Sequence, residues 1–231
     1  MNIHLLISSV KLIFNIIHTF TVMRIALVLL TIILSFSFCK KKGKADFTVT
    51  GKITNATYGI PLSGASIKIY EKSPSSSQEI LVGTTTTDSG GNYSFTFPRN
   101  KVQSYRVNGV KANYFTFDET INFSDLSIDS DNIRNYSTTA KSWVKLSFVN
   151  TLPSAVTDEI RFSRSAGKSN CAECCTSGEI SIFGIADTSI YCINDGNTNY
   201  TYNYNVVGTS NVGQQSVVTV AFDTTEILLN Y

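Results

Sequence analysis

Four cysteines fall in the last third of the chain, Cys171, Cys174, Cys175 and Cys192, and sulfur is the most reactive chemistry the sequence offers. An even set of four fits two disulfides wherever the compartment is oxidising. Of the three pairings that four cysteines allow, the one bonding adjacent Cys174 to Cys175 is disfavoured by geometry. Two remain open: Cys171–Cys174 with Cys175–Cys192, or Cys171–Cys175 with Cys174–Cys192. The rival is a Cys₄ zinc site, but there Cys174 and Cys175 would both have to reach one tetrahedral ion, which paired Cys-x-x-Cys knuckles avoid. A redox role for Cys171-Ala172-Glu173-Cys174 would need a thioredoxin-like βαβ setting, and the pattern shows none.

Other reactive groups are sparse. His4 and His18 are the only histidines, and none follows residue 18. Histidine is the usual general base at neutral pH and the commonest metal ligand, so Ser-His-Asp and Cys-His hydrolases and His-ligated zinc enzymes are out of reach of the later chain. A carboxylate-only glycoside hydrolase stays conceivable in chemistry. Its candidates, Asp158-Glu159 and Asp129 with Asp131, are neighbours in Ser/Asn-rich sequence suited to turns. Asp125, Asp129 and Asp131 could gather oxygen ligands for Ca²⁺, without the glycine and terminal glutamate of an EF-hand loop. Tyr200, Tyr202 and Tyr204 share one strand face, which packs as core or, if open, stacks on a glycan or a protein partner. No catalytic residue and no cofactor is expected.

The elements that must position these groups are read from the N-terminus. Met23-Arg24, an apolar run from Ile25 to Phe38, Cys39, then Lys40, Lys41, Lys42 and Lys44 follow a signal-peptide plan whose apolar stretch is shorter than the roughly 20 residues of a spanning helix. Leu34-Ser35-Phe36-Ser37-Phe38-Cys39 resembles the lipobox of bacterial lipoproteins of the Bacteroidetes type. The resemblance implies lipidation at Cys39, anchoring to the outer membrane and a basic tether over 40–45. Residues 1–22 read as the product of a mis-set start codon, with translation beginning at Met23. Charged residues are 16% and the net charge is +2, so a nucleic-acid partner is not expected.

Beyond the tether the pattern predicts an all-β chain of two consecutive antiparallel β-sandwiches, over 46–139 and 140–231. In the first, Phe47, Val49 and Ile53 alternate with polar residues, as do Ile67 and Ile69. A Thr-rich strand over Ile80–Thr87 leads into Asp88-Ser89-Gly90-Gly91-Asn92, a turn that reverses the chain into Tyr93, Phe95 and Phe97 as a hairpin. Three segments together resemble the carboxypeptidase regulatory-like domain, a transthyretin-like sandwich: Val49-Thr50-Gly51-Lys52-Ile53, Pro61-Leu62-Ser63-Gly64-Ala65-Ser66-Ile67, and Thr86-Thr87-Asp88-Ser89-Gly90-Gly91-Asn92-Tyr93-Ser94-Phe95. That likeness implies a non-catalytic scaffold or adhesion module.

In the second, Val144, Leu146 and Phe148, then Ile160 and Phe162, Ile180 and Ile182, Tyr200 to Val206, Val218 with Val220 and Phe222, and Ile227 with Leu229 and Tyr231 read as strands. Trp143, Asn150 and Pro153 resemble, loosely, the C-terminal region of small Bacteroidetes-type lipoproteins. The expectation is a lipid-anchored structural or binding module of the cell envelope with a protein or glycan partner. Its alternative is an accessory subunit of an outer-membrane uptake or secretion complex.

Overall fold

The structure, a computed structural model, describes residues 45–231. The leader with Cys39, and the start at Met23, lie outside the described residues. Period-2 burial runs through many of the strands that follow. On β1 (Asp46–Asn55) the inward positions Phe47, Val49 and Ile53 are buried while Thr48, Thr50 and Lys52 are not, as a strand covered on one face requires.

The first group of strands continues with β2 (Ile60–Pro61), β3 (Ser66–Lys72), β4 (Glu79–Thr86), β5 (Asn92–Pro98), β6 (Ser104–Val110), β7 (Phe117–Asn122), β8 (Asn132–Ile133) and β9 (Tyr136–Thr138). β1 sits between antiparallel β5 and the parallel pair β8 and β9, with β2 at its end, and the facing sheet has the order β4-β3-β6-β7. The second group is β10 (Lys141–Val149), β11 (Glu159–Ala166), β12 (Ile180–Phe183), β13 (Thr188–Asp195), β14 (Asn199–Val206), β15 (Val212–Val218) and β16 (Thr224–Asn230). Here β10 sits between antiparallel β13 and parallel β16, and the facing sheet runs β12-β11-β14-β15. Strand for strand the two patterns coincide. The opening strand of each group pairs with the fourth main strand and, in parallel, with the last, while the second, third, fifth and sixth build the other sheet.

Each pair of sheets closes over its own apolar interior. Phe47, Phe97 and Tyr105 pack ring on ring in the first, with Ile53, Ile67, Ile69 and Val107 around them. Phe148, Phe162 and Tyr202 do so in the second, among Val144, Leu146, Ile160, Ile227 and Leu229. Burying one such side chain contributes about 1.5–3 kcal/mol, so each interior sustains its own unit.

Several sequence expectations change in detail. The Asp88–Asn92 turn does reverse the chain, and Asp88 Oδ1 accepts from the Asn92 amide at 2.8 Å. The strands it joins belong to different sheets, however, so it forms an arch across the interior where a hairpin was expected. Val220 and Phe222 are exposed and lie beyond β15, because the chain turns there to meet the first sandwich. Among the longer strands, β6, β7, β13 and the greater part of β15 had no sequence forecast, and neither did the short β2, β8 and β9.

Only Thr139 and Ala140 separate β9 from β10. Ala140 is fully buried and bridges to Tyr114. Backbone amides close the joint: Phe115 donates to Thr139 O at 3.1 Å, Lys141 to Asn113 O at 2.8 Å, and Ala56 to Thr138 O at 2.8 Å. The Tyr114 ring meets Phe222 edge-on at 5.3 Å, and its hydroxyl accepts from Asn55 Nδ2 at 3.1 Å. Asp46–Tyr231 accordingly forms one compact unit.

Candidate functional site

The cysteines belong to an insertion. β3 and β4 are joined by residues 73–78, whereas their counterparts β11 and β12 are joined by residues 167–179. Connections this long without secondary structure usually carry function or need bracing. The bracing is covalent: of the two open pairings the structure has Cys171–Cys174 with Cys175–Cys192. Cys192 lies on β13, the outer strand of its sheet, so the second disulfide lays the loop along an edge that would otherwise present unpaired backbone. Cys175 Sγ also faces Tyr191 O at 3.6 Å.

The same loop reaches the joint. Lys168 Nζ pairs with Asp195 Oδ1 at 2.8 Å and stands 4.0 Å from the centre of the Phe115 ring, a cation–π arrangement. The Lys168 amide donates to Oδ1 of Asn194, which is buried and turns its Nδ2 to Thr198 Oγ1 at 3.0 Å. Lys141 pairs with Glu173 at 2.8 Å. Phe115, Thr139, Lys168, Asn170, Cys171 and Ala172 line a cleft of about 460 Å³ between the sandwiches. A second hollow of about 440 Å³ lies beyond Lys168, against Asp195 and Thr198. The cation is already paired and stacked, and the sulfurs are bonded to each other. What this cleft offers a visitor is hydroxyl and amide hydrogen bonding.

The remaining sequence candidates scatter. Tyr200 and Tyr202 are 0% and 2% exposed, so the open aromatic face considered for them is replaced by core. Their side of β14 packs beside Phe162 of neighbouring β11 and looks across the interior at Cys192, and their hydroxyls meet at 3.1 Å. Desolvation raises both phenol pKa values. Tyr204 is half-buried against the same interior. The Ca²⁺ reading also fails to gather: Asp125 accepts from Asn122 Nδ2 and Ser124 Oγ, and among the described residues no group of three or more His, Cys, Asp or Glu is placed to hold a metal ion. Asp158 and Glu159 do not face each other. Asp158 accepts from Asn150 Nδ2 at 3.0 Å and from the Ala155 amide at 2.8 Å, which lowers its pKa. Glu159 is lowered by its contact with Arg161.

One feature had no sequence forecast. The β10–β11, β12–β13 and β14–β15 loops all lie at the end of the second sandwich away from the joint, as the pairs Phe148 with Thr188, Glu159 with Phe183 and Asn205 with Val212 require. Leu152, Val156, Phe183, Ile185 and Val212 there are 90%, 81%, 65%, 63% and 67% exposed. Yet the loops are tied together. Gly184 N donates to Asp158 O at 2.7 Å, Asn150 N to Asp187 Oδ1 at 3.2 Å, Val207 N to Glu159 O at 2.9 Å, and the Tyr231 hydroxyl to Gly184 O at 2.8 Å. The signal in the sequence was Leu152 and Val156 standing in a Pro/Ser/Ala/Thr segment with no alternation to bury them.

No family model and no curated protein matches the chain. Among solved structures, the Bacillus anthracis TIE protein is 13% identical over 81% of this chain and 34% of its own, with a TM-score of 0.34. A streptococcal ancillary pilin is 12% identical over 82% of this chain and 63% of its own, at 0.36. The minor pilin of Streptococcus agalactiae is 13% identical over 80% of this chain and 94% of its own, at 0.32. The chain thus spans about a third of the first of these. Likenesses this loose carry nothing about function.

Proposed function

We propose that this chain is a tethered binding module of the cell envelope: acylated at Cys39, anchored to the outer membrane, and without catalysis of its own. The first sandwich, of carboxypeptidase regulatory-like type, serves as the spacer and the second presents the binding loops. The observation that supports this reading most is the two-residue joint, whose buried alanine and cross-hydrogen-bonded backbone hold the second sandwich in a fixed orientation on the first. A spacer that flexed would lose that control of presentation.

The exposed apolar loops favour a protein over a glycan as partner, since sugars call for polar donors beside aromatic faces. Membership of a larger envelope assembly is therefore the second reading. Cells making the wild-type chain or Cys39→Ala, fed radiolabelled palmitate and then fractionated, test the tether. Label and membrane retention in the wild type, both lost in the variant, are the expected outcome; a wild-type chain that carries no label removes the anchor.

A further inference from the structure

We infer that the apolar loop end of the second sandwich docks a protein face that is itself apolar and rimmed by lysine or arginine. This deepens the binding-module reading and rests on it. Five large apolar side chains stand mostly uncovered there, and a patch of that kind on a folded domain marks an interaction surface. Interloop hydrogen bonds from Gly184, Asn150, Val207 and Tyr231 hold the loops in place. Docking therefore avoids most of the ordering cost that mobile loops would incur.

Charge selects the occupant. Within residues 150–158, 183–187 and 207–212 the only ionisable side chains are Asp158 and Asp187, with neither lysine nor arginine. Both contribute to the loop frame as acceptors. The nearest cation along the strands, Arg161, is held by Glu159 at 2.7 Å. A second copy meeting this one end to end would bring these carboxylates together, and an anionic lipid surface would meet them with like charge. A cation-rimmed apolar protein face satisfies both terms. β1 begins at Asp46, at its end remote from the joint, where Asn55 meets Thr138.

The test uses the full chain in phosphatidylcholine nanodiscs with two fluorescent amphipathic helical peptides, identical in their leucines and differing in lysine against glutamate. Fluorescence anisotropy is expected to show saturable binding of the lysine peptide, about tenfold or more tighter than the glutamate peptide. Leu152→Ser with Ile185→Ser is expected to weaken it by about tenfold or more. Asp187→Asn narrows the gap between the peptides, and Ile80→Ser, an exposed apolar residue on β4, changes nothing. An unchanged unfolding temperature shows that the variants are folded.

Equal affinity for both peptides, or indifference to the loop substitutions, overturns the proposal. So does self-association or capture of phosphatidylglycerol vesicles that the same substitutions abolish. Membrane fractionation in parallel separates the two readings: peptide binding lost with the chain still membrane-bound defeats the docking end alone, whereas a chain released from membranes that still binds the lysine peptide defeats the tether alone.

Discussion

Gly51 shows how much a single residue can encode without its reason being visible. It stands in Val49-Thr50-Gly51-Lys52-Ile53, one of the three segments that carry the resemblance, where the sequence does not show what it accommodates. The last strand of the first sandwich breaks between β8 and β9 directly opposite. Arg134 N bonds Thr50 O at 2.7 Å and Asn135 Oδ1 accepts from the Lys52 amide at 2.9 Å. A Cβ at Gly51 would fall 1.7 Å from Arg134 O. Gly51→Ala must therefore push β8 and β9 off β1, at about 3 kcal/mol. Gly208, at φ +79° with nothing within 4 Å of its Cβ position, is the contrasting case: Gly208→Ala costs about 1 kcal/mol from backbone conformation alone. Urea unfolding of the two variants checks the difference, and equal losses would mean that the contact with Arg134 is relieved elsewhere.

At the scale of elements, alternation located the strands whose inward residues are large and apolar, such as β1, β10 and β14. It passed over β13, where Ile190 and Cys192 alternate with an exposed tyrosine, and β15, whose middle is Gln214-Gln215-Ser216. It also could not say whether the tyrosine face of β14 looked in or out, since both sides of a sheet share the same period. The cysteine pairing was narrowed by covalent geometry to two arrangements, and only the course of the 167–179 loop along β13 selects between them. Losing Cys175–Cys192 through paired serine substitutions should lower stability by about 3 kcal/mol, and losing the short Cys171–Cys174 loop by about 2 kcal/mol. Thermal unfolding of both double variants reads this. The opposite order would place the constraint in the short loop.

At the scale of the whole chain, one strand order occurs twice. In each half the first strand pairs in parallel with the last, so each sandwich closes only when its final strand arrives. The halves then share the joint, where Tyr114 of the first meets Phe222 of the second. Because these contacts couple the two interiors, the wild-type chain should unfold in one calorimetric transition. Tyr114→Ala, removing the ring and the acceptor for Asn55, should split it in two and destabilise the second half by about 2 kcal/mol. A single unsplit transition in the variant would put the coupling in the backbone bonds at Thr139 instead.

Taken alone, the sequence determined an all-β chain with two apolar interiors and no histidine after residue 18, because side-chain period and residue type are local properties. Tertiary structure alone decided that β4 and β5 are joined across the interior, that Tyr200 and Tyr202 are core, which cysteines bond, and that Leu152, Val156 and Ile185 converge on one end. Each of those depends on which distant segment lies opposite. A residue's face has meaning only once the other sheet is in place.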